Sequence, residues 1–233
     1  MLDFDSSACT IKKSDDLTYF HATLKPLPTQ PRPNCTPEFK VFDDSDPPLT
    51  NSPSPFVRNS WAALLAQYPG DLPVLIDGII TYGCKVGFKG PLSHHISKNL
   101  STALLDAPRM TAMLLEDLEL GRVVPVDGQY PFMCSPLGFV PKPNGKLRRI
   151  HHLSHPRNAS TNDGIARIDA AFQYETVYRV CNHILQAGRS CFIIKRDWEA
   201  AFRTVPVSPS DRWLLGFKWE GQFYTECCLP FGL

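Results

Sequence analysis

Two stretches of this sequence carry residue types that can do phosphate or metal chemistry. The first is "KRDWEAAFRTVPV" (195–207). An apolar run, "CFIIK" (191–195), reads as a buried strand and would deliver Asp197 to its C-terminal end. A carboxylate there could hold a hard cation beside substrate phosphates. It could equally cap the helical turn that follows. The second stretch is basic: Lys142, Lys146, Arg148, Arg149 and Arg157, with His151, His152 and His155, in a span with no Asp or Glu between Asp127 and Asp163. Such charges suit a triphosphate or a nucleic-acid backbone, Arg by forked contacts and Lys as a point charge. A solvated basic loop is the plain alternative. "HHLSH" puts His151 and His155 four apart, a zinc spacing on a helix. The stretch follows an apparent strand, has no Glu after the first His and lacks finger-like partners, which argues against zinc.

The elements that must position these residues follow from pattern. "LGFVPKPNGKLRRI" (137–150) predicts a hairpin around Pro-Asn-Gly, and 213–228 a second around Glu220-Gly221. "ETVYRVCNHILQAG" (175–188) predicts an amphipathic helix with Val177, Val180, Cys181, Ile184 and Leu185 on one face. Upstream, 61–70 predicts a short helix, 72–83 is helix or strand, and 102–120 predicts one long helix. Its stripe, Leu104, Leu105, Met110, Met113, Leu114 and Leu118, reads as core, and Gly121 as its stop. Helix and strand without a regular βαβ repeat predict an α+β fold.

Residues 1–55 hold nine prolines between Pro26 and Pro55, few apolar residues and much Ser, Asp and Thr. That composition predicts disorder, with the P-x-x-P of Pro28 and Pro31 read as linker. The expected organisation is a disordered segment (1–55), a mainly helical segment (56–125) and a strand-rich region (126–233). The formal net charge of +1 excludes a globally basic nucleic-acid binder. Eight cysteines without a C-x-x-C pair, no signal-like start and no membrane-length apolar run predict an intracellular protein, cytoplasmic or nuclear, with reduced thiols and no membrane partner. The apolar ending "TECCLPFGL" predicts a strand that packs against a missing part of the domain and leaves apolar surface exposed.

In order, 135–165, 193–233 and the helix between them resemble a reverse transcriptase, nearest to retrotransposons of the tyrosine-recombinase (DIRS-type) group. The shared runs are "GK-R-IHHLS-P---S-NDGI" and "D--AFR--PV---D--LLGF-W-G-FY---LPFGL", with weaker likeness through "YPG", "GCKVGFKGP" and "LEDLELGRV". The resemblance implies the fingers and part of the palm of a right-hand polymerase, an RNA-directed DNA polymerase acting by two-metal phosphoryl transfer. Asp197 would be the first catalytic aspartate, with Mg²⁺ (or Mn²⁺) as cofactor and the Trp198 carbonyl as a further ligand. Lys142 and Arg148 would meet the triphosphate, Lys146 being able to exchange with Lys142. Phe202 would be the gate that excludes a ribose 2′-hydroxyl, and Phe231 and Gly232 would line the nucleotide pocket. Arg149 and Arg157 would serve the template-primer, RNA or DNA, and a deoxynucleotide would be the other partner. Arg196 and the bulky Trp198 depart from the pattern. The aromatic-x-Asp-Asp turn that the family needs does not follow Asp197, so the isolated chain is expected not to polymerise. A dead remnant that still binds nucleic acid is the alternative, and a proline-rich interaction protein a further one.

Overall fold

The computed structural model describes residues 11–14, 17–20, 40–66, 68, 70–126, 133–167, 176–188, 190–193 and 198–233. Asp197, Lys195, Arg196 and the Pro28/Pro31 pair lie outside the described residues. Contacts divide the chain into two units, 1–34 with 172–196, and 35–171 with 197–233.

In the smaller unit, β1 (Ile11–Ser14) pairs antiparallel with β2 (Leu17–Phe20), Ile11 opposite Phe20. The unit also carries the amphipathic helix expected near 175–188, observed at Val177–Ala187. Its Thr176 hydroxyl caps the Arg179 amide, and Gly188 closes it. Val177 and Val180 of its apolar face are exposed. "CFIIK" is a correction: residues 191–193 form no strand, and Phe192 is 92% exposed. An apolar run reports the capacity to be buried, and burial also needs a partner surface.

The larger unit opens with residues 40–55, a correction to the expected disorder. The Leu49 amide donates to the Thr81 carbonyl (2.7 Å) and the Lys85 amide to that of Val41 (2.8 Å). Asp46 accepts from Ser208 and ion-pairs with Lys85, and Phe42 stacks on Tyr82. Despite its prolines the segment docks by a few hydrogen-bonding residues. Two helices follow, α1 (Arg58–Leu65) and α2 (Leu72–Tyr82), bridged by Arg58 and Asp77. The ambiguous 72–83 stretch is therefore helix.

After β3 (His95–Ile96), the long helix expected over 102–120 is two, α3 (Ser101–Leu105) and α4 (Ala107–Glu119). Pro108 has no amide hydrogen for the Leu104 carbonyl and its ring would clash with that group, so it fits only a helix's first turn and a new helix starts there. The break resets the phase. Leu104 and Leu105, expected in the core, are exposed, while Ala103, Met110 and Leu114 are buried.

The sheet is mixed and five-stranded, in the order β3, β5 (Met133–Cys134), β8 (Gly216–Trp219), β9 (Gln222–Glu226), β4 (Val123–Val126). Its first two pairings are parallel and its last two antiparallel. The β8–β9 hairpin turns at Glu220 and Gly221, both with positive φ (46° and 86°), as a two-residue hairpin turn needs. A separate antiparallel hairpin, β6 (Leu137–Pro141) with β7 (Leu147–His151), carries the basic residues. Asn99 ties it to the sheet: its side chain donates to the Lys218 carbonyl (2.8 Å) and accepts from the Leu137 amide (2.9 Å). Helix α4, β6 and β8 enclose one core around Met110, Leu114, Leu137, Phe139, Phe217 and Trp219. A second gathers Val86, Met133, Leu153, Val207, Leu214 and Leu215. The α+β expectation matches this architecture.

Candidate functional site

A cleft of about 910 Å³ opens between α4, the basic hairpin, the turn at 198–203 and the end of β9. Strand alternation sorts the hairpin's cations. Arg148 faces outward, and its guanidinium lies over the Phe231 ring, 4.9 Å from the centroid. Arg149 faces inward and is 8% exposed.

The turn Ala201–Thr204 is a short 3-10 helix entered through Ala200 in left-handed geometry (φ 50°). An alanine pays strain there, which the Arg203 amide donating to the Ala200 carbonyl (2.7 Å) helps to hold. Phe202 emerges from this turn half-exposed and meets Phe231 edge-on, ring centroids 5.9 Å apart. Trp198 also lines the cleft and packs edge-on against Phe56, which itself meets Trp61. Its bulk, unexpected at this position, thus has a local packing partner.

The end of the chain closes the cleft. The His151 amide donates to the Phe231 carbonyl (2.9 Å) and Asn162 to that of Gly232 (2.8 Å). Cys227 and Cys228 are buried within the unit, Cys227 through backbone bonds to Arg122 and Val207. The exposed apolar edge expected for "TECCLPFGL" is therefore not observed. Only the terminal Leu233 is among its large exposed apolar residues. Burial pushes the Cys228 thiol up to about 12.

The cleft floor holds an ion cluster that the sequence reading did not single out. Arg149 reaches Asp117 Oδ2 (2.6 Å) and Glu226 Oε1 (3.2 Å). Arg203 reaches Glu226 Oε2 (2.6 Å) and Asp117 Oδ2 (3.0 Å). Arg122 adds a longer contact to Asp117 (3.7 Å). Burial alone would push the Glu226 carboxyl up, but Arg203 and Arg149 outweigh it and hold it below the ordinary glutamate value. Burial lowers the His151 imidazole to about 4, against the pull of Glu226. Its Nε2 lies 3.0 Å from the Gly216 carbonyl, so Nε2 carries the proton and donates. One signal could have exposed the cluster. Asp117 extends the spacing of Met110 and Leu114 on the buried face of α4, and an acid at a core position demands partners.

The structure thus brings Lys142, Arg148, Trp198, Phe202 and Phe231 to one cleft, with Arg149 in its floor. Arg149 is engaged by carboxylates, whereas the sequence placed it among the residues serving nucleic acid. Lys146 and Arg157 are exposed away from the cleft lining, and Gly232 lies beside it. His151 is buried in a strand, and His152 and His155 pair with each other by ring contact (5.9 Å). Among the described residues no group of three or more His, Cys, Asp or Glu is placed to hold a metal ion. Asp117 and Glu226 are committed to arginines.

No protein-family profile matches the sequence, and no curated protein matches it. Among solved structures, the foamy viral protease-reverse transcriptase in complex with RNA/DNA hybrid is similar over 76% of this chain, at 15% identity and TM-score 0.44. The same enzyme with dsDNA is similar over 64%, at 18% identity and TM-score 0.40. The native prototype foamy virus enzyme is similar over 63%, at 22% identity and TM-score 0.40. This chain spans 25, 28 and 18% of those chains respectively. Likeness of this degree establishes neither family nor activity. Among the described residues no helix is long and apolar enough to cross a membrane.

Proposed function

We propose that the cleft is the deoxynucleotide-binding face of an RNA-directed DNA polymerase, of the retrotransposon type that the motif order resembles. One observation carries the proposal. Lys142, Arg148, Phe202 and Phe231, from three separate stretches of the sequence, line a single cleft, with Arg148 over Phe231 and Phe202 edge-on to the same ring. The roles then follow from chemistry. Arg148 presents a forked donor to phosphate oxygens and Lys142 a point charge. The Phe202 ring offers a flat apolar surface to a sugar, and a 2′-hydroxyl against it would lose water without gaining a hydrogen bond. Asp197, immediately before Trp198, is the proposed carboxylate for Mg²⁺ or Mn²⁺, whose chemistry would be to neutralise phosphate charge. RNA or DNA template-primer is the proposed macromolecular partner.

Titration of the chain with dATP in Mg²⁺ buffer tests the reading. We expect saturable binding, weakened roughly 10–100-fold in Arg148→Ala. Absence of binding, or binding indifferent to Arg148, would refute it. Binding of an oligonucleotide duplex without dATP binding would favour the remnant alternative. In a longer protein that contains this chain and polymerises, Asp197→Ala should abolish primer extension.

A further inference from the structure

We infer that the buried carboxylates Asp117 and Glu226, acting through Arg149 and Arg203, position the two side chains that would read a nucleotide's phosphates and sugar. The inference rests on the nucleotide reading of the cleft. Each proposed contact residue is the direct neighbour of a buried arginine: Arg148 of Arg149, and Phe202 of Arg203. On a strand, neighbours face opposite sides, so anchoring Arg149 inward aims Arg148 outward. In a single 3-10 turn, fixing Arg203 fixes the backbone from which Phe202 projects.

The anchoring is crossed. Asp117 contacts both guanidinium groups, and so does Glu226. The four residues come from α4, β7, the 3-10 turn and β9, so one cluster couples two walls of the cleft to the sheet and to a helix. Glu226 is fully buried and Arg203 is 5% exposed. Glu226 therefore acts on a ligand only through its neighbours and is a positioning residue. Stability alone is a poor reason for such a cluster, since apolar groups of similar volume often do as well. What apolar groups do not supply is direction, and a planar guanidinium held by two carboxylates has one.

The test exchanges one ion pair for apolar and neutral groups together, so that no charge is left uncompensated. Arg203→Met combined with Glu226→Gln removes the Phe202 anchor and keeps the contact between Asp117 and Arg149. We expect thermal melting close to that of the parent chain, dATP affinity lowered only a few-fold because Asp117 still holds Arg149, and a preference for dATP over ATP reduced about tenfold. A purely structural cluster would instead move melting, affinity and preference together, or none of them. A folded double variant with unchanged preference overturns the inference while leaving the nucleotide reading intact. Should the double variant not fold, Glu226→Asp, which keeps the charge and shortens the reach, carries the test. A reduced preference at parental melting supports positioning, and an unchanged preference or a lost fold overturns it. A parent chain that binds neither dATP nor ATP removes the nucleotide reading itself, and the inference with it.

Discussion

Gly232 has φ 131°, and a Cβ built there would lie 1.9 Å from the His151 carbonyl oxygen. Only glycine lets the chain pass β7 so closely. Gly232→Ala should lower unfolding free energy by about 2–4 kcal/mol in urea titration and pull Phe231 out from beneath Arg148. A neighbour, His151, sets a pH dependence. Its folded value is about 4 against an ordinary 6.5. Above pH 6.5 the imidazole is neutral in both states and costs nothing. As pH falls from 6.5 to about 4, the unfolded chain takes up a proton that the folded chain does not, and about 3 kcal/mol of stability is lost. Melting temperatures across that window should fall, and His151→Gln should flatten the slope. At this scale the sequence spoke for residues that face outward. Arg148, Phe202 and Phe231 were legible from motif order and do share a cleft. The Asp117–Arg149–Arg203–Glu226 contacts were not, because no local pattern links residues so far apart in the chain.

The hairpins were the most legible elements, because Asn144-Gly145 and Glu220-Gly221 state their turns in the residues themselves. Helices were legible in kind and less so in extent: the stripe of Leu104 and Leu105 was assigned to a continuous helix that Pro108 interrupts. "CFIIK" misled because period and polarity carry no information about which surface a segment meets. How the basic hairpin is held was also invisible. Asn99, in a loop before α3, satisfies a carbonyl of β8 and an amide of β6 at once. Asn99→Ala leaves both without that partner and should cost about 1–3 kcal/mol. Backbone exchange should rise first at Leu137, which hydrogen-exchange mass spectrometry can follow in a peptide that begins upstream of it, at 133 or before. Uniform exchange across the unit would contradict the clamp.

In the larger unit, proline content does not decide which segments dock. Residues 40–55 dock through Asp46, Leu49 and Val41, although prolines flank them. Removing residues 1–55 should therefore lower the melting temperature by roughly 5 °C more than removing 1–34, as scanning calorimetry would show. Equal melting of the two truncations would mean that those contacts add nothing. Whether the cleft of the larger unit accepts a deoxynucleotide shows in the ratio of dATP to ATP affinity. The parent chain should prefer dATP, and in Phe202→Ala the binding of ATP should rise until the preference is nearly gone. A parent chain indifferent to the 2′-hydroxyl, or a preference that survives Phe202→Ala, would contradict the proposed function.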